Sequence, residues 1–548
     1  MIRITRLVVV LFFVFFSPGL FAFGQDGKGM YFHKKSYTSN PLPVLSETRS
    51  RLPQPIYDED PVFVDAYWSA WEIAFENMYE PSPGSGFVSQ FIDAAFNDCI
   101  FLWDMSFITM FARYGTPHVP AISGLDNFYV KQHPDGEICR EIYRESGEDK
   151  HLWVNHTDEP LFSRYGIEWR GLKMPVIYRG REIPKPNPRL TLEGMNHPIL
   201  AWAELESFML TADTNRIALV YPPLTAYFQA LKKYIRQGNG LYMTDWASMD
   251  NSARNTYIMY GGTTVDISSE MTLFARNLSE MAMILGKTKE ASSYQKEADE
   301  LSVLINEKMW NSEDEFYYDL TLMELHIPSK TIAGFWPLIA EVPDDEIAAA
   351  LVRELNDTTT FNRKHRPPTL AATQEDYNPL GGYWNGSVWA PTTMMVVRGL
   401  EKAGYHQLAD EIAMNHLKNV IKVYKETGTL WENYAADAIQ PGDHSRKDFV
   451  GWSGIAPIGF LLEYAIGIKA NAPDRKMEWV IKSDQRIGVK QYWFGNTYVD
   501  LVCGAKDENG NRNLTITSTG KPFQLKIILD NKEIIREIVD GKEVKIEL

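Results

Sequence analysis

Two acids in aromatic, loop-like surroundings set the chemical question. Asp250 lies in Leu241–Asn255 (LYMTDWASMDNSARN), and Glu432 lies in Thr427–Tyr434 (TGTLWENY). In the first stretch Asp245, Asp250 and Arg254 fall within ten positions, with Trp246 between the two acids. Carboxylates, a guanidinium and an indole on one loop suit a sugar: acids move protons while a ring stacks on a pyranose face. Glycoside hydrolysis needs two carboxyl groups, one to protonate the leaving oxygen and one to activate water or attack the anomeric carbon. Trp431 and Tyr434 flank Glu432 closely enough to bury it and raise its pKa. Trp103-Asp104 is a third candidate, a ring to stack and an acid to bind hydroxyls. Each feature has a plainer alternative: a solvated loop around Asp250, a helix-terminal charge at Glu432, and at Asp104 an acid facing a helix dipole.

The elements that must position these residues are helices. Apolar periodicity and capping signals predict twelve: Val62–Tyr79, Leu102–Tyr114, Ile122–Lys131, Pro198–Thr211, Thr214–Ile235, Asp266–Leu285, Lys287–Met309, Ile332–Ile339, Asp344–Leu355, Val388–Ala403, Tyr405–Lys425 and Trp452–Ile468. Short and long connections alternate along this series. The long ones follow the odd-numbered helices and are rich in Gly, Pro, Asn, Asp and aromatic residues. Twelve antiparallel helices with that alternation fit an (α/α)6 toroid, with all long loops on one working rim. Those loops carry Asn97-Asp98 and Trp103-Asp104, then Gly194 to Pro198, Asp250, Glu315 to Asp319, Gly381 to Pro391 (GGYWNGSVWAP) and Glu432.

The toroid is expected over residues 61–469, after an extended lead-in at 25–60. From 476 to 548 strand-like alternation replaces it and predicts a small antiparallel β-sandwich, with Asp530-Asn531 and Asp540-Gly541 as hairpin turns. Residues 1–24 read as a signal peptide. Arg3 and Arg6 precede the apolar run LVVVLFFVFF, Ser17-Pro18-Gly19 breaks it, and Ala22-Phe23-Gly24 offers a cleavage site. A periplasmic or secreted protein is the expectation, without membrane insertion after cleavage.

Composition narrows the class. The 548-residue chain is 45% hydrophobic and 13% aromatic, with 15 Trp and 27 Tyr, many of them in the loops. Its net charge of -16 argues against nucleic acid as a partner. Three cysteines, Cys99, Cys139 and Cys503, suffice neither for a disulfide scaffold nor for a Cys-based zinc site. No cofactor or metal is implied, and the sequence is silent on calcium. Gly286-Lys287-Thr288 lacks the first glycine of a phosphate loop, and Asp344-Asp345 reads as a helix start.

Five motifs in order resemble a clan of inverting (α/α)6 glycosidases, glycoside hydrolase family 63 and the family 37 trehalases. They are Trp103-Asp104, Met249-Asp250-Asn251-Ser252-x-Arg254, Tyr383-Trp384-Asn385-Gly386-Ser387-Val388-Trp389, Gly428 to Tyr434, and Gly451-Trp452-Ser453-Gly454. The resemblance implies Asp250 as general acid and Glu432 as general base, with Asp104, Trp384 and Trp389 lining the sugar subsite. Trp103, Trp246, Arg254, Asn385, Trp431 and Trp452 are the further substrate-binding candidates. It also implies an exo-acting α-glycosidase of α-glucosidase or trehalase type, taking an oligosaccharide or glycoside. Two departures stand out: Asn385 occupies a position where relatives often carry Arg, and the loop from Gln132 to Asn196, with Arg170, Arg179 and Arg181, is long and individual. The competing expectations are a uronide-acting (α/α)6 lyase or unsaturated glucuronyl hydrolase, and a non-catalytic glycan-binding protein. A lyase would want a Tyr/His or Lys base, whereas these loops offer acids. A binding protein would not need both Asp250 and Glu432.

Overall fold

The computed structural model describes residues 27–150, 197–244, 249–258, 262–321, 323–530 and 532–547, and the backbone of two short strands at 177–178 and 181–182. The leader at 1–24 lies outside these residues, as do Asp245, Trp246, Arg170 and Arg179 and the side chain of Arg181.

Within them, six helical segments form a closed inner ring. In order they are Leu102–Ala112, Leu200–Thr211, Val265–Ile284, Trp336–Ile339 with the 3₁₀ turn Ile332–Phe335 before it, Ala390–Lys402, and Ala456–Ala465 after the turn Ser453–Ile455. Each touches the next and the last returns to the first. They are buried nearly all round, including every residue of Leu102–Ala112. A helix with no face to water has to be apolar on every side, and the run LWDMSFITMFA obeys that. The outer segments are Val62–Glu76, Ile122–Leu125 with Asp126–Tyr129, Thr214–Ile235, Thr288–Met309, Asp345–Asn356 and His406–Thr427. These are amphipathic. Asp345–Asn356 buries Ala348, Leu351 and Leu355, one stripe at helical spacing, and its N-cap Asp344 accepts the Ile347 N–H.

The predicted helices are thus present as an (α/α)6 toroid, Thr214–Ile235 with its expected bounds and the last segment with a different helix type. Trp452–Ile468 is not α-helical but a 3₁₀ turn followed by a ten-residue π-helix, Ala456–Ala465, all of it buried. Thr214–Ile235 continues through Pro222 and Pro223, with Gln132 Nε2 donating to the Pro223 carbonyl at 2.9 Å. Packing against the ring outweighs the local cost of proline there.

The β-domain is larger than its sequence pattern suggested. One sheet has the order Gln54–Tyr57, Ile487–Phe494, Thr497–Cys503, Asn513–Thr519, Val544–Glu547. Its first strand comes from the expected lead-in, so the two ends of the chain close one sheet. The second sheet runs Ile468–Asn471, Lys476–Ile481, Phe523–Leu529, Lys532–Ile538, and begins at Ile468, before the expected end of the toroid. Lys476–Ile481 and Phe523–Leu529 pair in parallel, because the chain crosses to the other sheet between them. The sandwich is therefore mixed rather than wholly antiparallel. Phe523–Leu529 and Lys532–Ile538 do pair as a hairpin with Asp530 between them and Asn531 outside the described residues, whereas Asp540-Gly541 carries the chain from one sheet to the other.

This domain caps the rim at the C-terminal ends of the inner helices. Met209 and Leu210, at the end of Leu200–Thr211, accept the N–H groups of Ala472 and Gly495. Beside them lies a buried ion network. Arg113 pairs with Glu206 and, at 2.7 Å, with Glu463, while Arg398 also reaches Glu463 at 2.7 Å. Removing one partner of such a set leaves a buried charge uncompensated. Glu463→Gln is accordingly expected to lose about 3–5 kcal/mol of unfolding free energy in denaturant titration; unchanged stability would contradict a structural network.

Candidate active site

The opposite rim, at the N-termini of the inner helices, holds a pocket of about 270 Å³. Among the described residues its walls include Trp103, Asp104, Asp250, Tyr383, Trp384, Trp389 and Trp452. Four long loops supply them, and three of these residues sit where a loop becomes an inner helix. Trp389 and Trp452 immediately precede helical segments, and Asp104 lies in a first turn. Six of the sequence-derived candidates, Asp250, Trp103, Asp104, Trp384, Trp389 and Trp452, therefore meet in one place.

The aromatic wall is continuous. Trp384 and Trp389 stack with ring centroids 4.2 Å apart and planes at 6°, and Trp452 follows at 5.6 Å from Trp389. Trp103 leans on His197, 4.3 Å between centroids. His197 in turn binds Glu270 at 2.7 Å, and Glu270 accepts the Trp336 indole N–H at 2.7 Å. Two buried polar atoms in this wall have no hydrogen-bond partner among the described residues, Asp104 Oδ1 and Trp103 Nε1. Buried polar groups are rarely left so unless a ligand completes them. Burial, reinforced by the charge of Asp93, pushes the Asp104 carboxyl well above the usual range.

Glu432 lies behind the pocket wall, only 2% exposed. Tyr383 donates its hydroxyl to Glu432 Oε1 at 3.1 Å, and the Arg446 N–H donates to Oε2 at 3.1 Å. The Trp452 indole N–H holds the Glu432 carbonyl at 2.8 Å. Burial raises the Glu432 pKa to about 7; the bonds from Arg446 and Tyr383 work against that rise, and the charge of Asp250 adds to it. Asp250 itself is open to solvent through the mouth but closely walled, and desolvation raises its pKa too. A carboxylate accepting two fixed N–H or O–H bonds is stabilised in its ionised form. No such donor to the Asp250 carboxyl is seen among the described residues, so the two acids are differentiated by their surroundings.

Three candidates do not line the pocket. Arg254 is fully buried, paired with Asp266 and, at 3.1 Å, with Asp319; it anchors the loop carrying Asp250 rather than reaching a substrate. Trp431 points its indole N–H at Thr427 Oγ1, 3.0 Å away, on the outer side of its loop. Asn385 sits one residue beyond the pocket wall, its backbone bonded to Gly382 and Asn378. Trp246 lies outside the described residues. Conversely, sequence reasoning missed Tyr383 as the partner of Glu432, together with Arg140, Glu141, Lys150 and Arg446 on the pocket wall. Arg140 and Glu141 arrive because Glu141–Tyr143 pairs with Cys99–Phe101, a pairing between two distant loops with no local signal. Among the described residues no group of three or more His, Cys, Asp or Glu is placed to hold a metal, and no helix is long and apolar enough to cross a membrane.

A toroid with stacked indoles and two unlike carboxyl groups, one lining the pocket and one behind its wall, defines a carbohydrate-active enzyme. Residues 185–449 match the mannosylglycerate hydrolase MGH1-like glycoside hydrolase domain. The protein is a glycoside hydrolase similar to those of family 63, the matched domain covering just under half of the chain. An uncharacterized protein of Borreliella burgdorferi is 27% identical over 366 residues, 64% of this chain and 75% of that one. The mannosylglycerate hydrolase of Rubrobacter radiotolerans is 27% identical over 201 residues, 34% of this chain and 41% of that enzyme. The family 63 mannosylglycerate hydrolase of Thermus thermophilus, solved with glucose, shares the fold at a TM-score of 0.52 and 20% identity, covering 72% of this chain and 99% of that one.

The Tyr383 bond favours ionised Glu432, so its loss raises the Glu432 pKa. If Glu432 must be ionised to work, activity falls as pH drops through about 7, and Tyr383→Phe moves that acidic limb to higher pH. A kcat/KM profile from pH 5 to 9 checks this; an unmoved limb would dissociate Tyr383 from the ionisation that matters.

Proposed function

We propose that the protein is an exo-acting α-glycosidase that removes a terminal sugar with inversion, Asp250 acting as general acid and Glu432 as general base. The observation that carries this reading is the pairing of an open Asp250, whose carboxyl receives no donor among the described residues, with a Glu432 held by two hydrogen bonds, beside the Trp384–Trp389 stack. Asp250 at the mouth would protonate the leaving oxygen, and Glu432 would take a proton from the attacking water. Asp104 and Trp103 would bind hydroxyls of the terminal ring through their unpartnered atoms. A pocket of about 270 Å³ is at the small end for ligand sites, commonly about 300–1,000 Å³, which favours one terminal residue over an internal stretch of polymer. The leader from Arg3 to Gly24 supports action outside the cytoplasm.

One observation favours a narrower substrate. Arg140, Lys150 and Arg446 approach the pocket around Asp250, and guanidinium and ammonium groups there suit a carboxylate on the aglycone. Mannosylglycerate, named for the relatives, is such a substrate. Parallel assays on mannosylglycerate and on neutral α-linked disaccharides decide between the two readings.

For the mechanism, Asp250→Asn is expected to lose about 10²–10⁴-fold in kcat on alkyl glycosides and less on glycosyl fluorides, whose leaving group needs no proton. Glu432→Gln should lose activity on both, since water activation is always required. Equal losses for Asp250→Asn on both substrates would remove the acid, and full activity in Glu432→Gln would remove the base.

A further inference from the structure

The mechanism above uses Asp250, Glu432 and the sugar wall; it leaves unexplained how two acids on separate loops keep a fixed relation. The side chain of Asn251 spans that gap. Its Nδ2 donates to the Gly382 carbonyl at 3.0 Å, and its Oδ1 accepts the Trp384 N–H at 2.9 Å. These two backbone groups lie on either side of Tyr383. Gly382 and Tyr383 have φ of +54° and +63°, so Tyr383 is a bulky residue held in the left-handed region. That conformation aims its hydroxyl at Glu432 Oε1, 3.1 Å away. The Gly382 carbonyl has a second donor in the Asn385 N–H, but the only acceptor seen for the Trp384 N–H among the described residues is Asn251 Oδ1. Only an amide at position 251 supplies a donor and an acceptor together at this reach.

We propose that Asn251 is a positioning residue: its amide holds Tyr383, and through it Glu432, in working geometry while tying the Asp250 loop to the same frame. The proposal rests on the assignment of Glu432 as base. The groups facing Glu432 are the Tyr383 hydroxyl, the Arg446 N–H and guanidinium, and the carboxyls of Asp250 and Asp104. Of these, Asn251 bonds the backbone around Tyr383 and adjoins Asp250 in the chain.

The test is a kcat/KM profile against pH for Asn251→Ala, Asn251→Ser, Tyr383→Phe and the double variant Asn251→Ala/Tyr383→Phe, with thermal unfolding alongside. Asn251 is exposed, so its variants should melt close to the parent protein. Asn251→Ala is expected to lose up to about a hundredfold in kcat/KM and to move the acidic limb to higher pH, as Tyr383→Phe does. In the double variant the limb should move no further than in Tyr383→Phe alone, because both changes remove one interaction. Asn251→Ser adds no charge and keeps a shorter group that can donate and accept, so it should shift the limb less than Asn251→Ala. An unmoved limb in Asn251→Ala, or a shift that adds fully to that of Tyr383→Phe, overturns the proposal. Should Asn251→Ala fail to fold, the limb of Asn251→Ser decides, and no shift there overturns it. A Glu432→Gln variant that keeps activity overturns the assignment of the base instead.

Discussion

The six inner segments are buried nearly all round, and most of the molecule follows from that. Leu102–Ala112 and Ala456–Ala465 are buried along their whole length, so nearly all charge in the ring is driven to its two rims. At the C-terminal rim charge is neutralised internally, where Arg113 and Arg398 meet Glu206 and Glu463 under the β-domain. At the N-terminal rim it is only partly neutralised. Arg254 is consumed by Asp266 and Asp319, while Asp104, Asp250 and Glu432 face or adjoin a cavity. Inner-helix N-termini also concentrate unpaired N–H groups and positive dipole at this rim. A sugar-processing site is therefore built at the end where the ring leaves its polar groups unsatisfied.

The toroid was legible in the sequence because its signals are local. Helical period, capping residues such as Asp344 and the alternation of short and long connections are each read within about thirty residues, and they place Asp250 and Glu432 on one rim. The motif around Tyr383-Trp384 showed that this loop belongs to the site. What stayed hidden was set by contacts across the chain. Arg254 looked like a sugar contact because its partners, Asp266 and Asp319, lie on other elements. Gln54–Tyr57 looked like lead-in because its strand partner is more than four hundred residues away. Arg140 and Lys150 were two charges among many in a long loop until the pairing of Cys99–Phe101 with Glu141–Tyr143 carried that loop to the pocket.

The loop Gly381–Trp389 emerges as the common frame of the site. It contributes the Trp384–Trp389 stack, it bonds the segment carrying Glu432 through Val388 and Tyr434 in both directions, and it accepts the side chain of Asn251 from the segment carrying Asp250. One loop thereby joins the proposed sugar platform to the segments that carry the proposed acid and base. Such a shared mount costs backbone strain at Tyr383, about 1–2 kcal/mol for a non-glycine residue in the left-handed region, which the surrounding bonds offset.

The central claim, that Asp250 and Glu432 act as acid and base on a single displacement, is tested most directly by proton NMR of the first sugar released from an α-linked substrate, recorded before mutarotation. The account predicts that the β-anomer appears first. Initial release of the α-anomer would mean retention, and the division of labour between the two carboxyl groups would have to be abandoned.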